Sequence, residues 1–174
     1  ALSMQHTHLI LSLIPKLWRS KSSCSRMNSF QIEKLLAADD KFLGCFPHDM
    51  LPPFPNKFPR SLIINTDDSS KPGDHWVGLV LNKNKCYYFD SFGVPILEKN
   101  IIHFLNHRYS TAIVNNTCIQ DAFSSLCGKF TIAFVAYVKD ERQYHKFISV
   151  FDPNEPYKND QKILKIFEKW PKNV

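Results

Sequence analysis

The chain has 174 residues, a length typical of one domain with a sizeable core. Hydrophobic residues make up 44% and charged residues 22%, which excludes an intrinsically disordered chain and a coiled coil. The longest apolar run, residues 132–138, is much shorter than a membrane span requires. We therefore expect a globular protein, in one copy, without a membrane partner.

The net charge of +6 is spread unevenly. Residues 1–32 contain four basic and no acidic side chains, whereas the remainder has 18 basic against 16 acidic ones. A local basic run lies near the C-terminus and comprises Lys158, Lys162, Lys165, Lys169 and Lys172. Such a run could contact a phosphate backbone, but a solvated helix face explains it too, and we favour the solvated face.

The five cysteines are Cys24, Cys45, Cys86, Cys118 and Cys127. An odd number without a C-x-x-C pair supports neither a disulfide scaffold nor structural zinc. We expect reduced thiols, as in an intracellular or intravirion setting, and one of them could be a nucleophile.

Residues 1–27 differ from the rest because they are polar, rich in serine and free of acidic side chains. We predict a disordered or otherwise non-domain extension, or translated upstream sequence, with a targeting peptide as the alternative. Residues 28–174 are then one domain.

The first half of that domain alternates between regular and irregular segments. Helical spacing predicts a helix over 30–38, and five prolines predict an irregular stretch over 44–60 that is suited to a binding surface. A strand is predicted over 62–65 and a turn-rich segment over 66–74. Two β-prone runs, 75–81 and 86–90, flank Asn82–Lys85 and predict a β-hairpin.

The second half is richer in helical patterns. Apolar spacing predicts a helix over 96–109, then a strand over 111–114 and an amphipathic helix over 160–170. Residues 127–138 have strand propensity, but their length and small alanines favour a buried helix. These elements predict an α+β fold in which helices flank a mixed central sheet.

Cys127 is the thiol best placed for chemistry. It precedes Gly128 at the predicted start of a helix, where the peptide dipoles favour the thiolate and lower the pKa of a nucleophile. Most free cysteines are small buried hydrophobic residues, so the neighbours of Cys127 decide between the two interpretations.

His75 and Asp90 are those neighbours. His75 begins one strand of the predicted hairpin and Asp90 ends the other, so pairing of the strands could bring them side by side. An imidazole so placed can accept the thiol proton, and a carboxylate on its other nitrogen fixes the tautomer. Each residue alone has an ordinary structural explanation, as a histidine beside a tryptophan or as a turn aspartate.

Gln120 precedes Cys127 by seven residues. Its side-chain amide and the Cys127 backbone N–H could converge on one oxygen and form an oxyanion hole, although a surface glutamine is the alternative. We assign Trp76, next to His75, to substrate binding.

The ordered set His75-Trp76, Asp90, Gln120 and Cys127-Gly128 resembles the adenovirus-type (adenain-like) endopeptidases, which are grouped with the SUMO-processing proteases. Papain-like enzymes place the cysteine before the histidine, whereas this group has the order His, acid, Gln, Cys. The resemblance covers roughly residues 30 to 140. Such genes also occur in virus-like transposons and in invertebrate viruses, and the Lys-rich and Phe-rich character of the chain suits such a source.

The resemblance implies a papain-like core in circularly permuted order, and cleavage of viral or capsid precursor proteins after small residues such as glycine. It also implies activation by DNA and a peptide, and a location in the host nucleus or virion. The family's peptide cofactor is held by a disulfide to a cysteine upstream of the glutamine. Cys118 is the nearest candidate and lies only two residues before Gln120, so we do not transfer that attachment.

Other interpretations remain open at this point. His103 and His107 have a spacing compatible with a shared metal, but no third ligand is apparent, so we predict no metal site. A protease that removes ubiquitin-like proteins would use the same site residues. An inactive relative that binds protein or DNA is the alternative from another functional class.

Overall fold

The structure is a computed structural model, and it describes residues 26–170. Most of the extension predicted for residues 1–27, including Cys24, lies outside the described residues, as does Lys172. The helices and strands in chain order are α1 (Ser29–Leu36), β1 (Phe42–Pro47), β2 (Arg60–Asn65), β3 (Trp76–Leu81), β4 (Cys86–Phe89), α2 (Lys99–Asn106), β5 (Ile113–Val114), α3 (Cys127–Tyr137), α4 (Glu141–Ile148) and α5 (Pro156–Glu168).

The described strands form one mixed sheet in the order β1-β2-β3-β4-β5. The two outer pairs, β1 with β2 and β4 with β5, are parallel, whereas β2, β3 and β4 pair in antiparallel fashion. The predicted α+β class with a mixed central sheet is confirmed. The hairpin is confirmed as well, since Gly78 pairs with Phe89 and the turn is closed by the bond from Asn82 N to Lys85 O.

Alternating side chains of the sheet supply two hydrophobic clusters. Ile63, Val80 and Phe89 belong to the cluster that includes residues of α1, α3, α4 and α5. Leu62, Leu79 and Tyr88 belong to the cluster that includes α2 and part of the proline-rich segment. Because side chains alternate along a strand, helical layers on both faces explain why β2, β3 and β4 are apolar almost throughout.

Helix α3 lies very close to the middle of the sheet. A Cβ atom placed on Gly78 of β3 would lie 2.9 Å from Cδ1 of Phe134 and 3.1 Å from Cγ2 of Thr131. Only a residue without a side chain permits this approach. The helix is buried along nearly its whole length, which confirms the prediction of a buried helix from residue 127.

One sequence-based prediction was wrong, and one helix was missed. The irregular stretch predicted over 44–60 begins later, because β1 occupies Phe42–Pro47. A proline at the end of an edge strand removes no essential ladder bond, and the exposed Cys45 N–H donates to Glu33 Oε1 at 3.1 Å. Helix α4 was not predicted at all, although Asp140 caps it by accepting from Gln143 N.

The ends of other elements also differ from prediction. Helix α2 spans Lys99–Asn106 rather than 96–109, and α5 begins at Pro156 rather than at residue 160. Proline suits the first helical position because its missing N–H has no partner there. Strand β5 has only two residues. In the part of the chain that the structure describes, none of the helices has the length and apolar character needed to cross a bilayer.

Candidate active site

His75 and Asp90 lie at the same end of the β3–β4 hairpin. His75 directly precedes β3 and Asp90 directly follows β4, so antiparallel pairing brings them together. His75 Nε2 is 2.9 Å from Asp90 Oδ1. The Asp90 side chain is 3% exposed and that of His75 is 19% exposed, so bulk water barely screens the pair. The structure thus brings together two of the predicted site residues.

The Asp90 carboxylate and backbone are both fixed. Asp90 Oδ1 also accepts from Phe92 N at 2.7 Å, and the Phe92 ring packs on His75 at 5.1 Å between centroids. Asn115 binds the backbone of Asp90 twice, because its Oδ1 accepts from Asp90 N at 2.9 Å and its Nδ2 donates to Asp90 O at 2.6 Å. Strand β5 runs parallel to β4, which places Asn115 beside Asp90.

Cys127 is the first residue of α3 and is 5% exposed. The His75 side chain and the backbone N–H groups of Trp76 and Gly128 lie close enough to the Cys127 thiol to lower its pKa. Because His75 Nε2 faces Asp90, the contact with the sulfur is left to Nδ1. Thr131 Oγ1 lies 2.8 Å from Cys127 O and 3.1 Å from Trp76 O, which joins the start of α3 to the start of β3.

These contacts change the ionisation of both partners. Burial, the largest influence, lowers the pKa of His75, but hydrogen bonds and negative charge from Asp90 and Cys127 outweigh it and raise that pKa to about 9. Burial raises the pKa of the Cys127 thiol, but the His75 hydrogen bond and charge, with two backbone N–H groups, bring it below its ordinary value. Opposite shifts of this kind favour a thiolate–imidazolium pair.

Gln120 is buried in the loop that leads to Cys127, with 1% of its surface exposed. Its Oε1 accepts from Ser91 Oγ at 2.6 Å, and its Nε2 lies 2.9 Å from Ser124 O and 3.0 Å from Ser124 Oγ. Ser124 O can only accept, so it fixes which end of the amide is the nitrogen. The oxyanion role of Gln120 stays a prediction.

Trp76 is 8% exposed and lies against the start of α3. Its Nε1 donates to Met27 O at 2.9 Å. A Cβ atom placed on Gly128 would lie 3.2 Å from Cβ of Met27 and 3.4 Å from Cδ1 of Trp76. Arg26, which forms an ion pair with Asp74, continues this segment beside His75. The substrate-binding role assigned to Trp76 stays a prediction.

The residues considered for other chemistry have local partners. His107 Nδ1 is 3.1 Å from His103 O, and within residues 26–170 no group of three or more potential ligands could hold a metal ion. In the basic run, Lys158 pairs with Glu155 at 2.8 Å and Lys162 donates to Val150 O at 2.9 Å. These two contacts favour the interpretation of the basic run as a solvated helix face rather than as a phosphate-binding surface.

Sequence reasoning missed several polar residues that support the site. They are Ser91, Asn115, Ser124, Asn159 and Asp160. Asn115 had a signal, because it follows a short strand just as Asp90 follows another, and adjacent parallel strands end at one edge. Ser91, Asn159 and Asp160 act through contacts between distant parts of the chain, for which local sequence gives no pattern. Ser124 lies four residues after Gln120 in an irregular loop.

A thiol paired with an imidazole that is oriented by a carboxylate belongs to a cysteine-type peptidase. The model of the adenovirus endoprotease family matches residues 42–154, well over half of the sequence. The chain belongs to the adenovirus endoprotease family.

Solved structures are similar to the chain in fold. The crystal structure of the ASFV pS273R protease has a TM-score of 0.61 at 18% identity, and the match covers 91% of this chain and 72% of that one. The Ulp1 protease domain, in complex with the yeast ortholog of SUMO, has a TM-score of 0.41 at 10% identity over 97% and 94% of the two chains. A comparison with curated protein sequences gives no match.

Proposed function

We propose that the protein is an endopeptidase that cleaves precursor polypeptides of a virus or virus-like element, with Cys127 as nucleophile, His75 as base and acid, and Asp90 as orienting carboxylate. The observation that carries the proposal is the linkage from Cys127 through His75 to Asp90, with 2.9 Å between His75 Nε2 and Asp90 Oδ1. Its electrostatics favour a thiolate before any substrate arrives.

The reaction then proceeds in two halves. The Cys127 sulfur attacks the peptide carbonyl carbon, and the oxygen that becomes negative is bound by the Cys127 backbone N–H and the Gln120 amide. His75 gives its proton to the departing amine as the C–N bond breaks, leaving a thioester on Cys127. A water molecule then attacks the thioester carbon while His75 takes a proton from that water. Breakage of the S–C bond releases the acid product and restores the Cys127 thiolate.

Asp90 has a distinct role in both halves. Its carboxylate holds the Nε2–H of His75, so Nδ1 faces the sulfur in each proton transfer. It also stabilises the imidazolium electrostatically without taking the proton itself. The bonds from Phe92 N and Asn115 keep this carboxylate in place, which lowers the reorganisation needed during reaction.

The crowded start of α3 supports a preference for small residues at the scissile bond. Directly beside the nucleophile, a methyl group on Gly128 would lie tightly against Met27 Cβ, at 3.2 Å, and in contact with Trp76 Cδ1, at 3.4 Å. A glycine next to the scissile bond fits such a wall better than a larger residue does. Family membership supports precursor proteins as the substrate class.

The test is covalent labelling by a peptide that ends in Gly-Gly and carries a vinyl warhead, with the adduct mapped by mass spectrometry. We expect one adduct, on Cys127, that is lost in Cys127→Ala and strongly slowed in His75→Ala. Equal, slow labelling of Cys127 and the exposed Cys118 would contradict an assembled site.

Substrate class and activation are tested in the same assay. Capsid-type precursor peptides are compared with ubiquitin-like C-terminal tails, and each reaction is repeated with added double-stranded DNA. We expect faster cleavage of the precursor peptides. Faster cleavage of the ubiquitin-like tails would instead assign the protein to deconjugation, and a rise of the rate only with DNA would show that an activator completes the site.

A further inference from the structure

A cavity of about 210 Å³ adjoins the active site and takes no part in the proposed proton transfers. It lies at the edge of the sheet where β1 and β2 end and β3 begins, and it is lined by Pro47, Asn65 and Trp76 from those three strands. Trp76 is shared with the site, because its backbone N–H lies close to the Cys127 thiol. A peptide bound at Cys127 can therefore reach this cavity within a few residues.

Asn65 places a buried hydrogen-bond donor at the cavity. The residue is 5% exposed, and its Oδ1 accepts from Asp67 N at 2.9 Å. A backbone N–H can only donate, so this bond fixes Oδ1 on that side and makes Nδ2 the other end of the amide. Among residues 26–170, Nδ2 has no hydrogen-bond partner. Since buried polar groups are nearly always bonded, this donor calls for an acceptor from outside the fold.

Gly73 leaves that donor uncovered. It lines the same cavity, and a Cβ atom placed on it would lie 2.4 Å from Asn65 Nδ2. Its φ of +83° is in the left-handed region, where other residues are strained. Glycine is the usual residue where a ligand approaches the backbone closely. Any other residue here would press its side chain against the amide.

The charges and the size of the cavity indicate what the acceptor is. Asp67 and Asp68 line it, and Lys71 pairs with them at 3.7 Å and 3.3 Å, which leaves one negative charge in excess among the three. That excess repels a phosphate or a carboxylate but not a carbonyl oxygen. The volume is below the ~300–1,000 Å³ typical of pockets for drug-sized ligands, so the cavity suits a short stretch of peptide.

We propose that Asn65 is a substrate-binding residue whose Nδ2 donates to a backbone carbonyl of the peptide, close to the scissile bond. The inference rests on the proposed function, because the peptide must lie at Cys127. Asn65 is paired with Trp76 across β2 and β3, so a chain that passes Trp76 lies beside this donor. A bond to the backbone of the substrate contributes affinity whatever side chain the substrate has there.

Asn65 also has a structural role that a test must separate from binding. Its bond from Asp67 N forms an Asx-turn after β2, and that turn requires only Oδ1. Aspartate and serine form turns of the same kind, so Asn65→Asp and Asn65→Ser keep an acceptor for Asp67 N. The aspartate has no donor, and the serine side chain is too short to take the place of Nδ2.

Asn82 provides the matched control. Its Oδ1 accepts from Lys83 N at 2.8 Å in the turn at the opposite end of β3. Its Nδ2 already has a partner within the protein, because it donates to Lys139 O at 2.9 Å. Asn82→Asp therefore removes an amide donor from a turn without removing one from the cavity.

The experiment measures how cleavage improves as a peptide becomes longer. Two series of peptides with one scissile bond after Gly-Gly grow by one residue at a time, one toward the N-terminus and one toward the C-terminus, and kcat/KM is measured at each length. Where kcat/KM rises, a second peptide has the carbonyl of the added residue reduced to a methylene group. Alkylation of Cys127 by iodoacetamide is measured in parallel, because it needs the thiol but no bound peptide.

We expect one added residue to raise kcat/KM of the wild type by about 3-fold to 10-fold, the effect of one hydrogen bond, and reduction of its carbonyl to cancel that rise. Asn65→Ser and Asn65→Asp lose the same rise and do not respond to the reduced carbonyl. Their alkylation rates stay near the wild-type value. Asn82→Asp keeps the full rise. The series in which the rise occurs shows on which side of the scissile bond the cavity binds.

Other results would overturn the inference. A rise that persists in folded Asn65→Ser, or a wild type without any rise, would show that the Asn65 amide serves only the turn. A rise that the reduced carbonyl leaves intact would assign the effect to a side chain of the peptide. Alkylation of Cys127 in the wild type that is no faster than that of the exposed Cys118 would instead contradict the proposed function, which separates the two failures.

Discussion

His75 Nε2 lies 2.9 Å from Asp90 Oδ1, across two strands that a short turn connects. The hairpin explains why they are near one another, because Gly78 pairs with Phe89, and this register puts Asp90 opposite Val77 and His75 diagonally two residues away. The bond also settles the roles of the two ring nitrogens. Nε2 carries the hydrogen for the carboxylate, and Nδ1 is left for the thiol.

Replacement of Asp90 tests the charge on this bond. With Asp90 and Cys127 beside it, His75 has a pKa of about 9, so it stays protonated through neutral pH and loses its proton above that value. Asp90→Asn removes one of the two negative charges, and the pKa of His75 falls toward 6.5. We expect the alkaline limb of the kcat/KM profile to move to lower pH.

The same substitution lowers the rate at its optimum. An asparagine amide can donate to Nε2 and leave the hydrogen on Nδ1, the wrong tautomer to accept a proton from the thiol. We expect a loss on the order of 10²-fold to 10⁴-fold, the range for general acid–base catalysis. The measurement is the kcat/KM profile from pH 5 to 10, with His75→Ala as the inactive control. An alkaline limb that stayed in place would contradict the predicted fall in the pKa of His75.

Asn115→Ala tests the support of Asp90 rather than its charge. The change leaves the buried Asp90 N–H without its partner, which costs about 1–3 kcal/mol of unfolding free energy, whereas Asp90 O keeps the bond from Gly93 N at 2.9 Å. The loosened carboxylate also lowers kcat. Asn116→Ala is the matched control because Asn116 is exposed. Its stability in urea and its rate in the cleavage assay should both stay near the wild-type values.

If Asn115→Ala unfolded at the same urea concentration as Asn116→Ala, the two bonds to Asp90 would contribute nothing to the folded state. A stability loss with unchanged kcat would confine Asn115 to a structural role. Both measurements are needed because the same two hydrogen bonds serve the fold and the site.

The parts of the site that the sequence could predict are those that depend on local pattern. Two β-prone runs around Asn82–Lys85 specify a hairpin, and the hairpin specifies that His75 and Asp90 meet. The length of the run after Cys127 distinguishes a helix from a strand. Both inferences use the spacing of apolar residues and the residue types that form turns, and a single sequence contains both.

The remaining parts depend on contacts that no local pattern encodes. Strand β1 carries Gly44 and ends at Pro47, so its composition predicts a loop although pairing with β2 makes it a strand. The burial of Asn159 and Asp160 arises only when α5 packs beside the 119–124 loop. In isolation α5 shows polar residues at these positions, and their polarity gives no sign that they become buried.

Gly78→Ala tests the close approach of α3 to the sheet. The new methyl would lie 2.9 Å from Phe134 Cδ1 and 3.1 Å from Thr131 Cγ2, so the helix must move away from β3. Overpacking of this kind typically costs about 1–3 kcal/mol. Because Thr131 ties the start of α3 to Trp76, we expect kcat to fall together with the unfolding temperature.

Thr131→Ser provides the control for Gly78→Ala. It removes one of the two groups that the new methyl would meet, Thr131 Cγ2, leaves Phe134 in place, and keeps the hydroxyl that contacts Cys127 O and Trp76 O. The double variant should regain part of the lost stability and activity. Strictly additive losses in the double variant would show that the two groups do not meet as described.

Trp76→Phe tests the wall beside the nucleophile. The phenyl ring keeps most of the apolar surface but loses the Nε1 bond to Met27 O, which frees the segment that crowds Gly128. We expect a stability loss of about 0.5–1.5 kcal/mol. More specifically, cleavage should become more tolerant of alanine in place of glycine next to the scissile bond, measured as a ratio of kcat/KM values.

Trp170→Phe is the matched control, because Trp170 is also a buried tryptophan and stacks on Phe167 at 4.7 Å between centroids. It should leave that ratio unchanged. An equal change of the ratio in both variants would show that the Trp76–Met27 contact does not determine the preference for glycine.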